Sequence, residues 1–446
     1  GHDCQPGGLN LPQVGREGIS TRVSLFPLYF FQVYLSLTVF LYAFGPWPWP
    51  TQGPGILYGF LLLVQVAFWL GYRLGVPKVP CKYVGPWSTQ VLVSVSLILN
   101  VVWIVPSFMS RSGATGFSLG GMLESALQGL YDPGSMYAAR MEALATVEKT
   151  TLFGYLTQVV SPVLWLAIPL AVFFWKSLGR LRKILLLIVV FFEIVSWVAI
   201  GTNKGLFDIL IVLSWMVIAA NPRFIRSFDL RGFLRSAVLI IGGLVAVLYF
   251  FAIGQEGRGG GEIPAYDRSA NIQLDYDNWL IAALPDGARL PFGAVASYLS
   301  QGYYPLSIAL TEPPTFSYGV GHSHYYTGIV QSFVGQGVIS DKTYPALIEK
   351  YGWDRYGKWH TMYTWMASDI SFAGVIVFVF ALGGLLAKVW CDVVYRHNPP
   401  AVALLALLCI MVFYFPANNQ ILAFSRTANA FWVILVFWGL TRSRKA

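Results

Sequence analysis

The chain has 446 residues, of which 56% are hydrophobic and 16% aromatic, while only 11% are charged. Apolar runs of about 17–25 residues recur from end to end, which excludes a soluble globular domain and points to a polytopic membrane protein. The net charge of +9 is dispersed over short loops between those runs instead of forming one patch, so it does not point to nucleic acid.

Residues 1–24 read as a cytoplasmic tail. Its opening, GHDCQPGGLN, lacks the apolar core of a signal peptide and reads in part as a cloning remnant. Hydrophobic spans are predicted at 25–45, 54–71, 87–108, 151–175, 184–201, 205–220, 237–254, 368–389, 401–415 and 421–440, about ten transmembrane helices in an all-α fold. Most Lys and Arg fall in alternate connections, from Arg16 and Arg22 to Arg442, Arg444 and Lys445. The positive-inside rule then places both termini in the cytoplasm.

Two long segments, 109–150 and 255–367, fall on the opposite face and hold most of the acidic residues. In the first, 117–150 shows helical spacing either side of Asp132-Pro133-Gly134, which predicts two short amphipathic helices on the membrane surface. The second opens with the Gly-rich GQEGRGGGEIPAYDRSA. Its later runs 291–310 and 325–339 are apolar but interrupted by Gly and Pro, as in re-entrant or buried helices. Read as full crossings, they would bring the count to about eleven or twelve. The chain thus divides into the tail, seven helices over 25–254, the large loop 255–367 with the active-site elements, and three helices with a basic tail over 368–446. The spacing of Cys4, Cys81, Cys391 and Cys409 suggests neither a disulfide nor a metal site.

The stretch VVFFEIVSWVAIGTNKGLFDILIVLSWM places Glu193, Lys204 and Asp208 in a run otherwise fit for lipid. An ionisable group at that depth asks for a partner or a function. Lys204 and Asp208 are spaced to pair along one helix face, and Lys204 falls at headgroup level, where a cation suits a lipid phosphate. Glu193 has no evident role beyond a hydrogen bond to a neighbouring helix. Arg426 lies near the outer end of the last span, and Arg258, Arg268 and Arg289 add guanidiniums to the same face, each suited to bidentate phosphate binding. Together they suggest an anionic ligand.

His322 and His324 in YGVGHSHYYTG are candidate general bases, and Asp369 in WMASDISF is another. Asp275-Tyr276-Asp277 forms a D-x-D, a pattern that also arises by chance. Metal is not assigned. The aromatic residues of the loops, among them Tyr304, suit both a membrane interface and sugar rings.

These residues resemble the signature of bacterial oligosaccharide repeat-unit polymerases, the Wzy-type O-antigen polymerases. Trp359-His360-Thr361-Met362-Tyr363-Thr364 is similar to their N/H-x-x-Y-T element, and Asp369 with Gly374 to their D-x-G-x-x-G, with Ser371 at the first glycine. GTNKG resembles their outer G-S-R-G hairpin, with Lys204 for Arg. The resemblance covers roughly 190–440. It implies a metal-independent, cofactor-free enzyme of the GT-C-like group in the bacterial inner membrane, acting at the periplasmic face on lipid-linked oligosaccharide as donor and acceptor. A chain-length regulator and a flippase are the partners such a system implies. Lys204, Arg258, Arg268 and Arg426 are then expected at the diphosphate, and Asp369, His322 or His324 at the acceptor hydroxyl. Arg289, Tyr304, His360 and Tyr363 complete the substrate-binding set. The rival expectations are an O-antigen ligase, echoed by GHSHYYTGIVQSFVGQGV, and a transporter or flippase of a lipid-linked or anionic solute.

Overall fold

The computed structural model describes residues 20–112, 117–146, 152–223, 225, 242, 248–256 and 263–443, with side chains left undescribed at 141–146 and 152–153. The fold is mostly helical. In chain order the first helices are α1 (Thr21–Phe44), α2 (Pro54–Gly75), α3 (Thr89–Val102), α4 (Ile104–Ser112), α5 (Leu119–Tyr131) and α6 (Pro133–Thr146). There follow α7 (Leu152–Leu164), α8 (Ala167–Phe173), α9 (Arg180–Ala199) and α10 (Lys204–Ala220). After the 263–278 segment come α11 (Trp279–Ala282), α12 (Asp286–Ser300), α13 (Tyr303–Ala309), α14 (His324–Val334) and α15 (Tyr344–Ile348). The chain closes with α16 (Met362–Arg396), α17 (Pro399–Phe413) and α18 (Ser425–Leu440).

Among the described residues four helical stretches are long and apolar enough to cross a membrane: α1, α2, Gly154–Phe173 and α16. The pair α3 and α4, bent by 54°, makes a fifth if it is one broken span. This is an all-α membrane protein. The predicted span 237–254 lies largely outside the described residues, as does the Gly-rich stretch 257–262.

Helix α17 is apolar on every side, and every residue from Ala401 to Val412 is buried. A helix without a polar stripe belongs in the interior, and α8, α10, α16 and α18 pack against this one. Helices α2 and α16 meet backbone to backbone: a Cβ on Gly71 would stand 1.9 Å from the Phe380 carbonyl oxygen, and one on Gly75 2.5 Å from the Gly384 Cα. Small residues permit such contact where lipid supplies no hydrophobic drive for helix association. At one end of the bundle, strand β1 (Lys82–Tyr83) pairs antiparallel with β4 (Arg442–Ser443). There the fully buried Asp392 receives the Cys81 amide at 2.6 Å and the Trp438 indole at 3.1 Å, and pairs with Arg442 at 3.1 Å.

The opposite end carries 263–361, where β2 (Tyr266–Asp267) and β3 (Ile272–Gln273) form a small hairpin. The runs expected to be re-entrant or buried become the short helices α12, α13 and α14. All of α13 is buried, and its Tyr304 stacks on Trp49 and meets Trp353 edge-on. Over 117–146 the chain forms two helices that part at Asp132. Helix α5 packs against α9: a Cβ on Gly129 would meet the Val198 carbonyl oxygen at 2.1 Å.

Candidate active site

Helix α16 is two helices joined at a break. Thr361 caps its start by accepting the Thr364 amide at 3.1 Å, and Ser371 interrupts it with φ 64° and ψ 165°. Asp369 ends the first piece. The chain at Ser317–His322 turns back over it through the positive-φ residues Tyr318 and Gly319. That reversal aims donors at the carboxylate: the Ser317 hydroxyl and the Gly321 amide, 3.1 Å away, reach Oδ1, and the His322 amide reaches Oδ2 at 2.7 Å. The His322 ring completes the set, with Nδ1 also 2.7 Å from Oδ2. The Asp369 side chain is 1% exposed and that of His322 14%. A carboxylate only accepts, so Nδ1 carries the hydrogen, and in the neutral ring Nε2 keeps its lone pair, the tautomer a general base requires. Asn419 fixes the other side of the loop by donating to the His322 carbonyl at 2.8 Å.

The second part of the site is a cluster of cations. Arg111 of α4 pairs with Glu193 of α9 at 2.6 Å, donates to Ser196 at 3.2 Å and lies 4.6 Å over the Trp197 ring. The Trp197 indole donates to the same Glu193 oxygen at 3.0 Å. Glu193 is therefore the counter-ion of Arg111. Arg140 of α6 donates to the Arg111 carbonyl at 2.9 Å, and Arg426 reaches Ser107 at 3.4 Å. Arg111, Arg140 and Arg426 all stand within Coulombic reach of Lys204. The expected Lys204–Asp208 pair is not closed to ion-pair distance. Lys204 Nζ instead lies 4.2 Å over the Phe424 ring and 6.0 Å from that of Trp197. Asp208 Oδ1, Thr202 Oγ1 and Asn203 Oδ1 are buried with no hydrogen-bond partner.

The glycines of GTNKG make this assembly possible. Gly201 has φ +64°, and a Cβ there would stand 2.1 Å from the Pro133 carbonyl oxygen. A Cβ on Gly205 would lie 2.0 Å from the Trp197 indole. Only residues without a side chain let α6 and Trp197 close on the hairpin. Four cations gather against two carboxylates, Glu193 and Asp208, and the remaining positive charge suits an anion.

Phe424 lies between the cations and His324, two residues beyond His322. Its face carries Lys204, and its ring centroid is 6.2 Å from that of His324. His324 in turn stands edge-on to Trp365 at 4.5 Å. Burial pushes the His324 pKa down to about 4, so it is a neutral hydrogen-bonding group at physiological pH.

Several sequence candidates stand elsewhere. Arg258 lies outside the described residues. Arg268 is exposed on the β2–β3 hairpin. Arg289 is bound to its own surroundings, with Nε donating to the Leu284 carbonyl at 3.1 Å and an ion pair to Asp286 at 2.9 Å. Tyr304 and Tyr363 are packed in the core, the latter between Phe60 and Phe415. His360 is also buried, its Nε2 3.1 Å from the Asp354 carbonyl oxygen; burial lowers its pKa to about 4. The Asp275 carboxylate accepts the Asp277 amide at 3.0 Å in a local turn. Among the described residues no three His, Cys, Asp or Glu side chains converge as a metal set would.

Sequence reasoning overlooked Arg111, Arg140, Ser317 and Asn419. A signal for the first two was present: both are arginines in a segment assigned to the face that the positive-inside rule depletes, and Glu193 had no partner on its own helix. No protein-family model, curated protein or solved structure matches the chain.

Proposed function

We propose that the protein is an inverting, metal-independent glycosyltransferase that polymerises lipid-linked oligosaccharide repeat units at the periplasmic face of the bacterial inner membrane. The observation that carries this reading is the Asp369–His322 pair, two residues along the chain from His324, whose ring neighbours the Phe424 face that carries Lys204. In this reading the chain crosses the membrane about ten times, with both termini in the cytoplasm. The donor's diphosphate lies among Lys204, Arg426, Arg111 and Arg140. His322 Nε2 takes the proton of the acceptor hydroxyl as that oxygen bonds to the anomeric carbon of the growing glycan. The bond from that carbon to the diphosphate oxygen breaks, and polyprenyl diphosphate leaves with the electron pair. Arginine and lysine stabilise the developing charge, while Asp369 holds the imidazolium.

The test is turnover of synthetic polyprenyl-diphosphate repeat units by the purified chain, with and without chelator. A chelator-resistant ladder that disappears in His322→Ala supports the proposal; a ladder unchanged in that variant removes His322 as base. A ligase reading is favoured by one observation: the oriented His322 sits in the element that resembles the ligases' histidine loop. A ligase would form no ladder but would transfer a single glycan to lipid A core.

A further inference from the structure

A cavity of about 160 Å³ opens beside the candidate base. Gly321, whose amide donates to Asp369, lies in its wall. Three rings, those of His324, Tyr356 and Trp365, form one part of the lining, and Thr327, Ser340 and Thr343 contribute hydroxyls. No lining residue is an acid, a lysine or an arginine.

The hydroxyl hydrogens are already committed. Thr327 Oγ1 donates to the Val320 carbonyl at 2.9 Å, Thr343 Oγ1 to the Ser340 carbonyl at 2.7 Å, and Ser340 Oγ to Asp341 at 3.4 Å. Those oxygens keep lone pairs, while the Gln331 amide, the ring N–H groups of His324 and Trp365 and the Tyr356 hydroxyl are donors, so the lining holds acceptors, neutral donors and aromatic faces. Such a lining suits a ring with apolar C–H faces and outward O–H donors. A carboxylate would find no cationic side chain in this lining to balance its charge once its water is lost.

We propose that this cavity seats an uncharged, hydroxyl-rich sugar ring of the acceptor glycan beside the base and rejects sugars that carry a carboxylate. The assignment rests on the glycosyltransferase reading above and adds the substrate class.

The experiment is saturation-transfer NMR on the purified full-length chain in nanodiscs, with methyl glucoside, methyl N-acetylglucosaminide and methyl glucuronide as probes. At least one neutral glycoside should bind saturably, and the glucuronide at least about tenfold more weakly, as expected when a charge gives up its water without gaining an opposite charge. Gly328 also lines the cavity, and a Cβ there meets nothing within 4 Å. Gly328→Leu should therefore fill the space without disturbing the fold and abolish the neutral signal, while His322→Ala keeps it and loses turnover. An undiminished signal in Gly328→Leu, equal binding of the glucuronide, or no saturable binding of either neutral probe would overturn the proposal. The two readings fail separately. Saturable sugar binding without any glycan product retains the cavity and removes the polymerase, whereas a normal ladder from Gly328→Leu removes the cavity and retains the polymerase.

Discussion

The His322 imidazole and the Asp369 carboxylate, 47 residues apart, are joined twice: Nδ1 and the backbone amide of His322 each lie 2.7 Å from Oδ2. Backbone and ring are thus held by one carboxylate oxygen, which leaves the imidazole little freedom to rotate. Asp369→Asn places an NH2 or a weaker acceptor opposite Nδ1 and permits the wrong tautomer. Turnover should fall by roughly 10²–10⁴. Because the two residues act as one unit, the double variant with His322→Ala should be no slower than His322→Ala alone. Additive losses in single-turnover rates would show that they act independently.

The Arg111–Glu193 pair is a second, independent prediction. Its side chains are 10% and 28% exposed, so Glu193→Ala strands a largely desolvated guanidinium. The expected loss of stability is about 3 kcal/mol. Replacing both partners with Gln should restore much of it, because no unpaired charge remains. Detergent-solubilised melting curves on the parent and these two variants measure this, and a double variant as unstable as Glu193→Ala would contradict the pairing argument.

Lys204→Ala and Arg426→Ala should each lower kcat/KM for the lipid-linked donor by about 10². Their binding of free neutral glycoside should be unchanged, since neither residue lines the cavity. Equal losses for donor and free sugar would indicate general damage.

Ser371 sits at φ 64° and ψ 165°, a conformation that favours glycine, and its hydroxyl accepts the Gly374 amide at 3.3 Å. Ser371→Gly exchanges that cap for relief of strain and should stay within about 1 kcal/mol of the parent, with turnover kept. Ser371→Val loses the cap and adds a β-branched side chain, so it should cost more than about 2 kcal/mol and displace Asp369. A Val variant as active and stable as the Gly one would remove the break from the account of the site.

His324 and His360 are both held neutral by burial, with pKa values lowered to about 4 from 6.5. The unfolded chain takes up protons as pH falls through 6.5, and the native chain only near 4. Their contribution to stability is therefore complete above pH 6.5 and is lost between 6.5 and 4, on the order of 3 kcal/mol for each. The melting temperature, followed by tryptophan fluorescence, should drop across that window, and His360→Gln should reduce the slope. A flat profile from pH 7 to 5 would contradict it.

Much of this was legible in the chain. The apolar runs declare a membrane protein, the turn signal at Asp132-Pro133-Gly134 marks the break between α5 and α6, and Asp369, His322 and Lys204 stand out as ionisable or histidine side chains in unusual company. The aromatic and arginine candidates were harder. Tyr304, Tyr363 and His360 have the composition of a sugar site but lie in the core, because a local pattern does not say which face of a loop turns inward. The arginines divide in the same way: Arg289 is satisfied by its sequence neighbours Leu284 and Asp286, whereas Arg111, which no motif singled out, became the partner of Glu193.

Sequence alone therefore determined the class of structure, since lipid demands long runs in which every backbone group is bonded internally. It also marked where charge is expensive enough to require a reason. Only the tertiary structure decided which charges are partners and which histidine is oriented. Those outcomes depend on contacts across 47 residues between His322 and Asp369 and 82 between Arg111 and Glu193, and they follow from how helices pack, through glycines such as Gly129, Gly201 and Gly205, not from the order of residues along any one of them.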